Sequence, residues 1–441
     1  MKMHRFRSRD CAIAVLLLVA ACQEPAVTMP AQTAGVPAAT ERLQATHTHS
    51  VLTATAAVTS APPQSSPTVQ AVGTGESGFF DLPGARSINV VAGAGDTVYV
   101  LAGNGHDLNL YRSDDGGATF GAKVLVSQGT QSEVLAVVRP ALAWRSEGGL
   151  SAAWVEMLAG QSKVRAAFSD DGGETFSTPE TIATTSEPET TMASVTFNAA
   201  GNPLVVWLQN STLQMAATAG NGADFTAPQQ LDDLVCECCQ PQPLAVEGMV
   251  FVAYRNLVRN GSGAASRDVH VLASADGGAT FGEPVAVADG TWLIDACPIA
   301  GPALAAHEGT LYAAWMDGRH DDGTFTHTDV WVAASTDGGA SFGANTRVNS
   351  IEGQYNGQPA MASDGSGRLH LAWEADEAGA SVIHYAFSDD GGQTFSPAHV
   401  IASSAEMAGS ARLGQAVLAV SDTGRIYIGW TDALGVHLTM L

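Results

Sequence analysis

The stretch Ser113–Phe120 reads SDDGGATF, and closely similar octets occur four more times along the chain. The further copies are Ser169–Phe176 (SDDGGETF), Ser274–Phe281 (SADGGATF), Ser335–Phe342 (STDGGASF) and Ser388–Phe395 (SDDGGQTF). A degenerate copy occupies Thr218–Phe225, where Asn-Gly-Ala replaces Asp-Gly-Gly. A motif that returns at such regular distances is typical of a repeat architecture. The sequence therefore predicts a fold that is built from repeated units.

The residue types of the octet suit a tight turn between two strands. The paired glycines permit positive φ, which other residues rarely adopt. The Asp before them accepts hydrogen bonds from backbone N–H groups of its own turn, and the Ser and Thr hydroxyls do so more weakly. The closing Phe packs between neighbouring units. We therefore interpret the recurring carboxylates as structural; they are Asp115, Asp171, Asp276, Asp337 and Asp390.

Short segments rich in Val, Ile and aromatic residues alternate with Gly-rich turns, which predicts an all-β fold. Each repeat has the composition of four strands, as in the blade of a β-propeller. Seven units begin near Ser87, Arg139, Ala193, Pro243, Gly301, Gln358 and Leu413. The last unit lacks a fourth strand, so we expect Phe79–Leu82 to supply it and to close the ring, which removes an exposed sheet edge. Six blades with one irregular extension are the alternative.

The octet resembles the Asp box of the sialidase-like (BNR repeat) β-propeller family, and the resemblance covers 78–441. Enzymes of this type hold a substrate carboxylate with three Arg residues and use a Tyr–Glu pair as nucleophile, a variant of two-carboxylate glycoside hydrolysis. The resemblance implies Tyr355 as nucleophile, Glu352 as its base and Asp317 as proton donor, with Asp295 as a second choice for the donor.

The sequence departs from the family pattern at one signature. The Phe-Arg-Ile-Pro start of the sialidases is absent, and the nearest match is Val138-Arg139-Pro140 in the second unit. A shared fold does not by itself imply a shared activity. The leading expectation is therefore a binding or interaction module, with an exo-α-sialidase-type glycoside hydrolase as the alternative.

Turns in a four-stranded blade alternate between two faces of the ring. The octets lie on one face, which we call the clip face. The other, the link face, carries the second-to-third loops and the links between blades, and variable loops on a rigid scaffold usually carry function. Because forked Arg donors match carboxylates, we expect an acidic carbohydrate or a peptide carboxylate as ligand there. The candidate ligand-binding residues are Arg139, Arg255, Trp292, Arg319 and Arg412.

Four cysteines fall on two neighbouring links of the link face. Cys236, Cys238 and Cys239 lie in CECCQP, and Cys297 lies in WLIDACP. An oxidising compartment favours two disulfides, for which sequence leaves three pairings open. A thiolate site for copper or zinc is the second interpretation, although Cys-x-Cys-Cys is not a standard zinc spacing. Redox chemistry is the third, and no other cofactor is indicated.

The start of the chain has the features of an export signal. Residues 1–21 combine a basic start with a short apolar run, which is too short to span a bilayer. The run ends Val19-Ala20-Ala21-Cys22, which resembles the lipobox of bacterial lipoproteins and implies a lipid on Cys22. The following Gln23 implies the outer membrane, facing the periplasm or the surface. Residues 22–77 are rich in Ala, Thr, Pro and Ser, which predicts a disordered tether.

The formal net charge of −24 argues against nucleic-acid binding, which needs a basic face. It also disfavours docking on anionic lipid, so we expect membrane contact through the Cys22 lipid alone. The sequence thus predicts an exported, lipid-anchored propeller that binds a carbohydrate or peptide ligand, and a protein partner stays open. The alternatives are the sialidase-type hydrolase and periplasmic handling of copper or zinc.

Overall fold

A computed structural model of the chain describes residues 79–128, 133–134, 139–158, 160–185, 191–219, 224–259, 265–294, 297–320, 326–350, 354–406 and 412–441. The expected signal, the tether and Cys22 lie outside these residues, as do Asp295 and Glu352. The regular elements in the described ranges are β-strands. No helix among these residues is long and apolar enough to cross a membrane.

The strands form seven antiparallel blades of four strands each. Blade 1 contains Ser87–Ala92, Val98–Gly103, Leu108–Ser113 and Val124–Leu125. Blade 2 contains Ala141–Trp144, Leu150–Leu158, Gln161–Ser169 and Glu180–Thr185, and the short Glu133–Val134 also pairs with its second strand. Blade 3 contains Ala193–Phe197, Pro203–Gln209, Thr212–Ala217 and Gln229–Asp233. Blade 4 contains Gln242–Val246, Met249–Arg255, Val269–Ser274 and Val285–Ala286, with an added hairpin of Val258–Arg259 and Ala265–Ser266.

The remaining three blades complete the circle. Blade 5 contains Ala303–His307, Thr310–Asp317, Asp329–Ser335 and Thr346–Arg347. Blade 6 contains Asn356–Ser363, Leu369–Glu377, Ala380–Ser388 and His399–Ser403. Blade 7 contains Gly414–Val420, Ile426–Thr431, Gly435–Met440 and, as its outer strand, Phe79–Pro83 from the start of the described chain. The first strand of each blade contacts the first strand of the next, and that of blade 7 contacts that of blade 1.

The closing strand joins the two ends of the described chain. Phe79 lies opposite Thr439 and Pro83 opposite Gly435, so the N-terminal strand pairs with the last strand along its whole length. The ring of Phe80 then packs on Phe120 of blade 1, with the ring centroids 4.0 Å apart. The expected closure and the count of seven blades are both confirmed, and the six-bladed alternative is wrong.

The core lies between the blades rather than in one central mass. The second strands of five blades carry tryptophans that are at most 1% exposed, and these are Trp154, Trp207, Trp315, Trp373 and Trp430. Fully burying one large apolar side chain stabilises a fold by about 1.5–3 kcal/mol. Because each interface repeats this packing, the ring grows by adding blades instead of enlarging a single core.

The octets form identical clips between the third and fourth strands. In blade 1, Ser113 Oγ donates to Asp115 Oδ1 at 2.7 Å, and the Gly117 N–H donates to Ser113 Oγ at 2.8 Å. The N–H and hydroxyl of Thr119 donate to the two carboxylate oxygens of Asp115 at 2.8 and 2.6 Å. Hydrogen bonds from the Thr hydroxyl and N–H lower the pKa of Asp115 to about 2.

The other four octets contain the same bonds, centred on Asp171, Asp276, Asp337 and Asp390. The second glycine of each clip also faces the preceding blade. A Cβ on Gly278, where φ is +94°, would lie 2.6 Å from Leu204 Cδ1 of blade 3. Each clip therefore both connects two strands of its own blade and packs on the preceding blade, so the structural interpretation of these carboxylates agrees with their geometry.

Candidate functional site

Side chains from distant links meet at the centre of the link face, where the first strands of the blades begin. Arg139, which precedes the first strand of blade 2, donates from Nη1 to the carbonyl of Ala416 in blade 7 at 3.2 Å. Gln240 donates from Nε2 to the carbonyls of Arg139 and Ala193, at 3.0 and 2.8 Å. These bonds tie blades 2, 3 and 7 to the link that enters blade 4.

A buried carboxyl group lies beside this central network. Glu374, near the end of the second strand of blade 6, is 3% exposed and accepts the N–H of Gln415 at 2.5 Å. Burial raises the pKa of Glu374 to about 7, while Arg412, the Gln415 N–H and Arg139 act in the opposite direction. A carboxyl group that titrates near neutral pH can gain or lose a proton under physiological conditions, which marks a candidate site.

Tyr355 lies in the same region, against the link between blades 5 and 6. Its hydroxyl occupies the space that a side chain on Gly357 would fill, since a Cβ there would lie 2.4 Å from Tyr355 Oη. Burial, and next the charge of Glu374, raise the pKa of Tyr355 far above its usual value. The guanidinium of Arg412 covers the ring, with Cζ 5.3 Å from the ring centroid. The structure thus joins Tyr355, Glu374 and Arg412 into one electrostatic group.

Arg412 is the cation of this group that solvent reaches. More than half of its side chain is exposed, and Nη1 lies 3.4 Å from Asp376 Oδ2. Such an exposed pair contributes little to stability and exchanges readily with another anion. Arg139 is only partly exposed, and burial lowers its pKa. The site therefore offers one accessible and one recessed guanidinium, both within electrostatic reach of Glu374.

Two β-bulges shape this part of the link face. Gln358 and Gln415 have positive φ, 47° and 55°, although neither is glycine. The register of the first strand shifts at both positions, between Gly357 and Ala360 and between Gly414 and Val417. Bulges turn side chains and backbone donors out of the ladder, and strained residues of this kind cluster at functional sites. In blade 7 the bulge points the Gln415 N–H at Glu374.

Arg255 and Trp292 lie in the protein interior, which corrects the expectation that they face a ligand. Arg255 is 1% exposed and donates to the carbonyls of Ala300, Arg267 and Met316 at 2.7, 2.7 and 2.6 Å. Trp292 is 2% exposed and packs beside the Arg255 guanidinium, whose Cζ is 5.7 Å from the ring centroid. Both residues support the links around blades 4 and 5.

Arg319 and Asp317 form an ion pair that shapes a loop of blade 5. Arg319 Nη2 lies 2.6 Å from Asp317 Oδ2 and Nη1 lies 2.5 Å from Asp289 Oδ1. The guanidinium also stacks on Trp331, with Cζ 4.4 Å from the ring centroid. Asp317 is 2% exposed and accepts a further hydrogen bond from Trp315 Nε1. These contacts account for both side chains, so the expected proton donor and ligand clamp are structural here.

The four cysteines converge, as expected from their two links. All four Sγ atoms lie within 4.8 Å of one another, and all four residues are buried. Cys238 and Cys297 are in disulfide contact, and Cys236 and Cys239 are thiols, so one pair is found where two were expected. The pKa of Cys236 is lowered to about 6 by the hydrogen bond from Cys239 and by the charges of Arg267 and Arg255.

A groove at the outer edge of blades 2 and 3 is a second concave surface. Its lining is neutral and rich in amides and hydroxyls: Ala183, Thr184, Gln209, Asn210, Thr212, Gln214, Pro228 and Gln230. Because this lining offers no cation, it does not match an acidic ligand. The charged group around Glu374 is the better candidate for that ligand class.

Residues 159–428 match the BNR repeat-like domain. The chain belongs to this family. The match covers more than half of the chain and confirms the resemblance to sialidase-like propellers that the octets carry. A comparison with curated protein sequences finds no match.

Solved structures are similar to this BNR repeat-like protein at low identity. An ulvan lyase bound to -[GlcA(1-4)Rha3S]- is 11% identical, with a TM-score of 0.51 over 80% of this chain and 94% of that chain. The Hadza microbial sialidase is 12% identical, with a TM-score of 0.44 over 78% and 75% of the chains. A protein of unknown function from Dyadobacter fermentans is 13% identical, with a TM-score of 0.46 over 81% and 99%. Identities this low show the fold alone.

Sequence reasoning placed Tyr355, Arg139 and Arg412 on the right face of this BNR repeat-like propeller but did not select Glu374 for the site. A signal was present in the strand ends. In blades 3 and 5 the indole N–H of the second-strand Trp is bonded to a polar residue two positions later, as in Trp207–Gln209. In blade 6 the Trp373 indole instead donates to Asn356 Oδ1. The residue two positions after Trp373 is Ala375, which has no side-chain acceptor, and the carboxylate of this strand end lies one position earlier, at Glu374.

Proposed function

We propose that this protein is an exported propeller that binds the carboxylate of an acidic carbohydrate on the link face, where blades 6, 7 and 2 meet. The observation that carries the proposal is the buried Glu374, whose pKa is near 7 and which lies within electrostatic reach of the guanidinium groups of Arg139 and Arg412. When Glu374 is protonated, Asp376 is the charged carboxylate that remains beside Arg412 among the residues that the structure describes. The local excess of positive charge then favours an anion.

The nature of the ligand follows from the donors that are exposed. Arg412 presents a planar guanidinium that exchanges Asp376 for a ligand carboxylate with no net loss of ion pairing. The ring of Tyr355 beneath it holds this guanidinium in position through a cation–π contact. Membership in the BNR repeat-like family supports a carbohydrate ligand, and the ulvan lyase of similar fold was solved with a uronate-containing saccharide.

The test is calorimetric titration of the purified protein with 3′-sialyllactose and with oligogalacturonate, using lactose as the neutral control. We expect the acidic saccharides to bind and lactose not to bind. Arg412→Ala should weaken binding about 10- to 150-fold, since a hydrogen bond to a charged group contributes about 1.5–3 kcal/mol. Affinity should also fall as the pH rises through about 7, because ionised Glu374 repels the ligand.

Arg368 is the matched control, because it repeats the surroundings of Arg412 on the clip face. It is 40% exposed, pairs with Asp389 at 2.6 Å and covers Phe387, with Cζ 4.4 Å from the ring centroid. Arg368→Ala should leave the affinity unchanged. Equal losses in the two variants, or no binding of either acidic saccharide at pH 5.5, would contradict the proposal.

A sialidase-type hydrolase is the second candidate, and one contact favours it. Tyr355 lies within electrostatic reach of Glu374, so the nucleophile that the family implies has a carboxylate neighbour. A Tyr hydroxyl attacks only when a base takes its proton, and Glu374 replaces Glu352 in that role. Release of a fluorescent aglycone from a sialoside, lost in both Tyr355→Phe and Glu374→Gln, would establish the hydrolase. Turnover that survives Tyr355→Phe would exclude this mechanism.

Export and lipid attachment at Cys22 complete the proposal. The small residues before Cys22 and the acidic propeller that follows a polar tether support a protein held at the outer membrane by its lipid alone. Labelling with a radioactive fatty acid should mark the wild-type protein and not Cys22→Ser. The variant should move from the membrane fraction to the soluble fraction. Equal labelling of both proteins would exclude lipid attachment at this residue.

A further inference from the structure

The four-cysteine cluster on the links into blades 4 and 5 is separate from the site around Glu374. Cys236 Sγ lies 3.3 Å from Cys239 Sγ and 3.7 Å from both Cys238 Sγ and Cys297 Sγ. Cys239 Sγ lies 3.9 Å from Cys297 Sγ. The sulfur atoms of two links therefore lie close together in space. Cys236 and Cys297 are 61 positions apart in the sequence.

The backbone around the cluster is fixed by contacts that do not involve sulfur–sulfur bonding. Cys236 donates its N–H to the carbonyl of Arg255 at 2.9 Å, and the Cys239 N–H returns to the carbonyl of Cys236 at 3.4 Å. This turn makes Cys236 and Cys239 a Cys-x-x-Cys pair, the spacing of structural zinc sites. The second link approaches so closely that a Cβ on Gly301 would lie 2.1 Å from the Gln240 carbonyl oxygen. Both halves of the cluster are thus preformed.

We propose that Cys236, Cys238, Cys239 and Cys297 form a structural zinc site with four thiolate ligands. Tetrahedral Zn²⁺ with Zn–S bonds of about 2.3 Å holds its sulfurs about 3.8 Å apart. Three of the sulfur–sulfur separations, 3.7, 3.7 and 3.9 Å, match that spacing. The residues are buried and leave no position open to solvent, which is typical of a structural rather than a catalytic site.

The charges around the cluster suit this ion. Four thiolates and one Zn²⁺ carry a net charge of −2, which two guanidinium groups balance. Arg267 is buried and donates from Nη1 to Cys236 Sγ at 3.3 Å, and the buried Arg255 is the second cation near the same sulfur. The backbone N–H of Ile299 donates to Cys297 Sγ at 3.4 Å. Hydrogen bonds of this kind orient and stabilise thiolate ligands.

The disulfide contact between Cys238 and Cys297 competes with the metal, because a sulfur in a disulfide is not a thiolate ligand. A disulfide alone requires two of the four sulfurs. The gathering of Cys236 and Cys239 at the same point, with two buried cations beside them, is what the zinc site accounts for and the single disulfide does not. The two interpretations therefore differ in the number of thiols and in metal content.

The experiment is metal analysis of the mature protein purified without oxygen, without added metal and without a thiol reductant, which would itself cleave a Cys238–Cys297 disulfide. We expect about one Zn²⁺ per chain and, after replacement by Co²⁺, the strong thiolate-to-metal absorption of a tetrahedral four-sulfur site. Cys239→Ser should lower the zinc content at least tenfold and remove that absorption. Ser211→Ala is the matched control, because it removes a hydrogen bond to the side chain of Glu237 within the same link but no sulfur.

A second measurement on the wild-type protein keeps the test decisive if Cys239→Ser does not fold. Alkylation followed by mass spectrometry should find all four cysteines protected while zinc is bound and all four reactive after chelation in denaturant. A metal-free protein with Cys238 and Cys297 oxidised in these preparations would overturn the proposal. So would zinc content unchanged in Cys239→Ser.

Discussion

The two faces of the ring use carboxylates in opposite ways. On the clip face, hydrogen bonds from hydroxyl and N–H groups lower the pKa of Asp115, Asp276, Asp337 and Asp390 to about 2. On the link face, burial raises the pKa of Glu374 to about 7. The first arrangement stabilises the charged form inside a closed turn. The second lets Glu374 gain or lose a proton near neutral pH, next to two cations. This is the property of a binding or catalytic group.

The same difference appears in how often each arrangement occurs. The clip recurs five times with the same bonds, and its donors come from within its own octet. The group around Glu374 draws on side chains from blades 2, 6 and 7. A repeated local motif is a device for building the ring. A unique group assembled from distant residues at the centre is where a specific function is expected.

The largest effect is expected from a side chain added to a clip. In Gly278→Ala the alanine must keep a left-handed backbone conformation, φ +94°. Its Cβ would lie 2.6 Å from Leu204 Cδ1 of the preceding blade. Strain of about 1–2 kcal/mol and overpacking of about 1–3 kcal/mol should lower the free energy of unfolding by roughly 2–5 kcal/mol. Denaturant titration followed by tryptophan fluorescence measures this loss.

Gly248→Ala is the matched control in the same blade. Gly248 has a similar φ of +85°, but a Cβ there has no neighbour within 4 Å. It should therefore show the strain alone, about 1–2 kcal/mol. If the two variants lose the same free energy of unfolding, the clips do not hold neighbouring blades together. The structural role assigned to the clip face would then be wrong.

The second effect is the acid sensitivity of the clips. A carboxyl group whose pKa is lowered on folding contributes stability that is complete above its unfolded value of 3.8 and is lost as the pH falls through about 2. Asp276→Asn should therefore reduce the stability difference between pH 4.5 and pH 2.5. Glu283→Gln, at an exposed position after the same octet, should leave that difference unchanged. An identical acid transition in wild type and Asp276→Asn would refute the assignment.

The last prediction concerns the pH dependence of stability that Glu374 contributes. A carboxyl group whose pKa is raised on folding favours the folded state at low pH, and this contribution is lost as the pH rises from 4.5 to about 7. Wild type should therefore lose thermal stability between pH 5 and pH 8 relative to Glu374→Gln, which stays neutral. Glu406→Gln, at an exposed turn, serves as control. A slope that persists in Glu374→Gln would mean that another group titrates.

The outcome for individual residues shows where sequence reasoning reached its limit. Tyr355 and Arg412 lie together on the expected face, because the position of each in its repeat sets the face. Arg255 lies on that face too, yet it is buried, since its guanidinium is held by Ala300 and Met316, 45 and 61 residues away. A repeat pattern gives the face of a side chain but not its depth. Depth depends on neighbours that the pattern does not identify.

The sequence by itself determined the clips, the seven blades and the strand that closes the ring. The clips depend on local chemistry, since their glycines, hydroxyls and carboxylates lie within eight residues. The blade number and the closing strand follow from a count of strands that leaves one sheet edge without a partner. The tertiary structure alone decided that Glu374, Gln415 and Arg139 form one group and that the four sulfurs, which the sequence assigned only to one face, lie within 4.8 Å of one another. These contacts form because the closed ring brings separate links to its centre. The spacing of residues within one link does not encode the distance between side chains of different links.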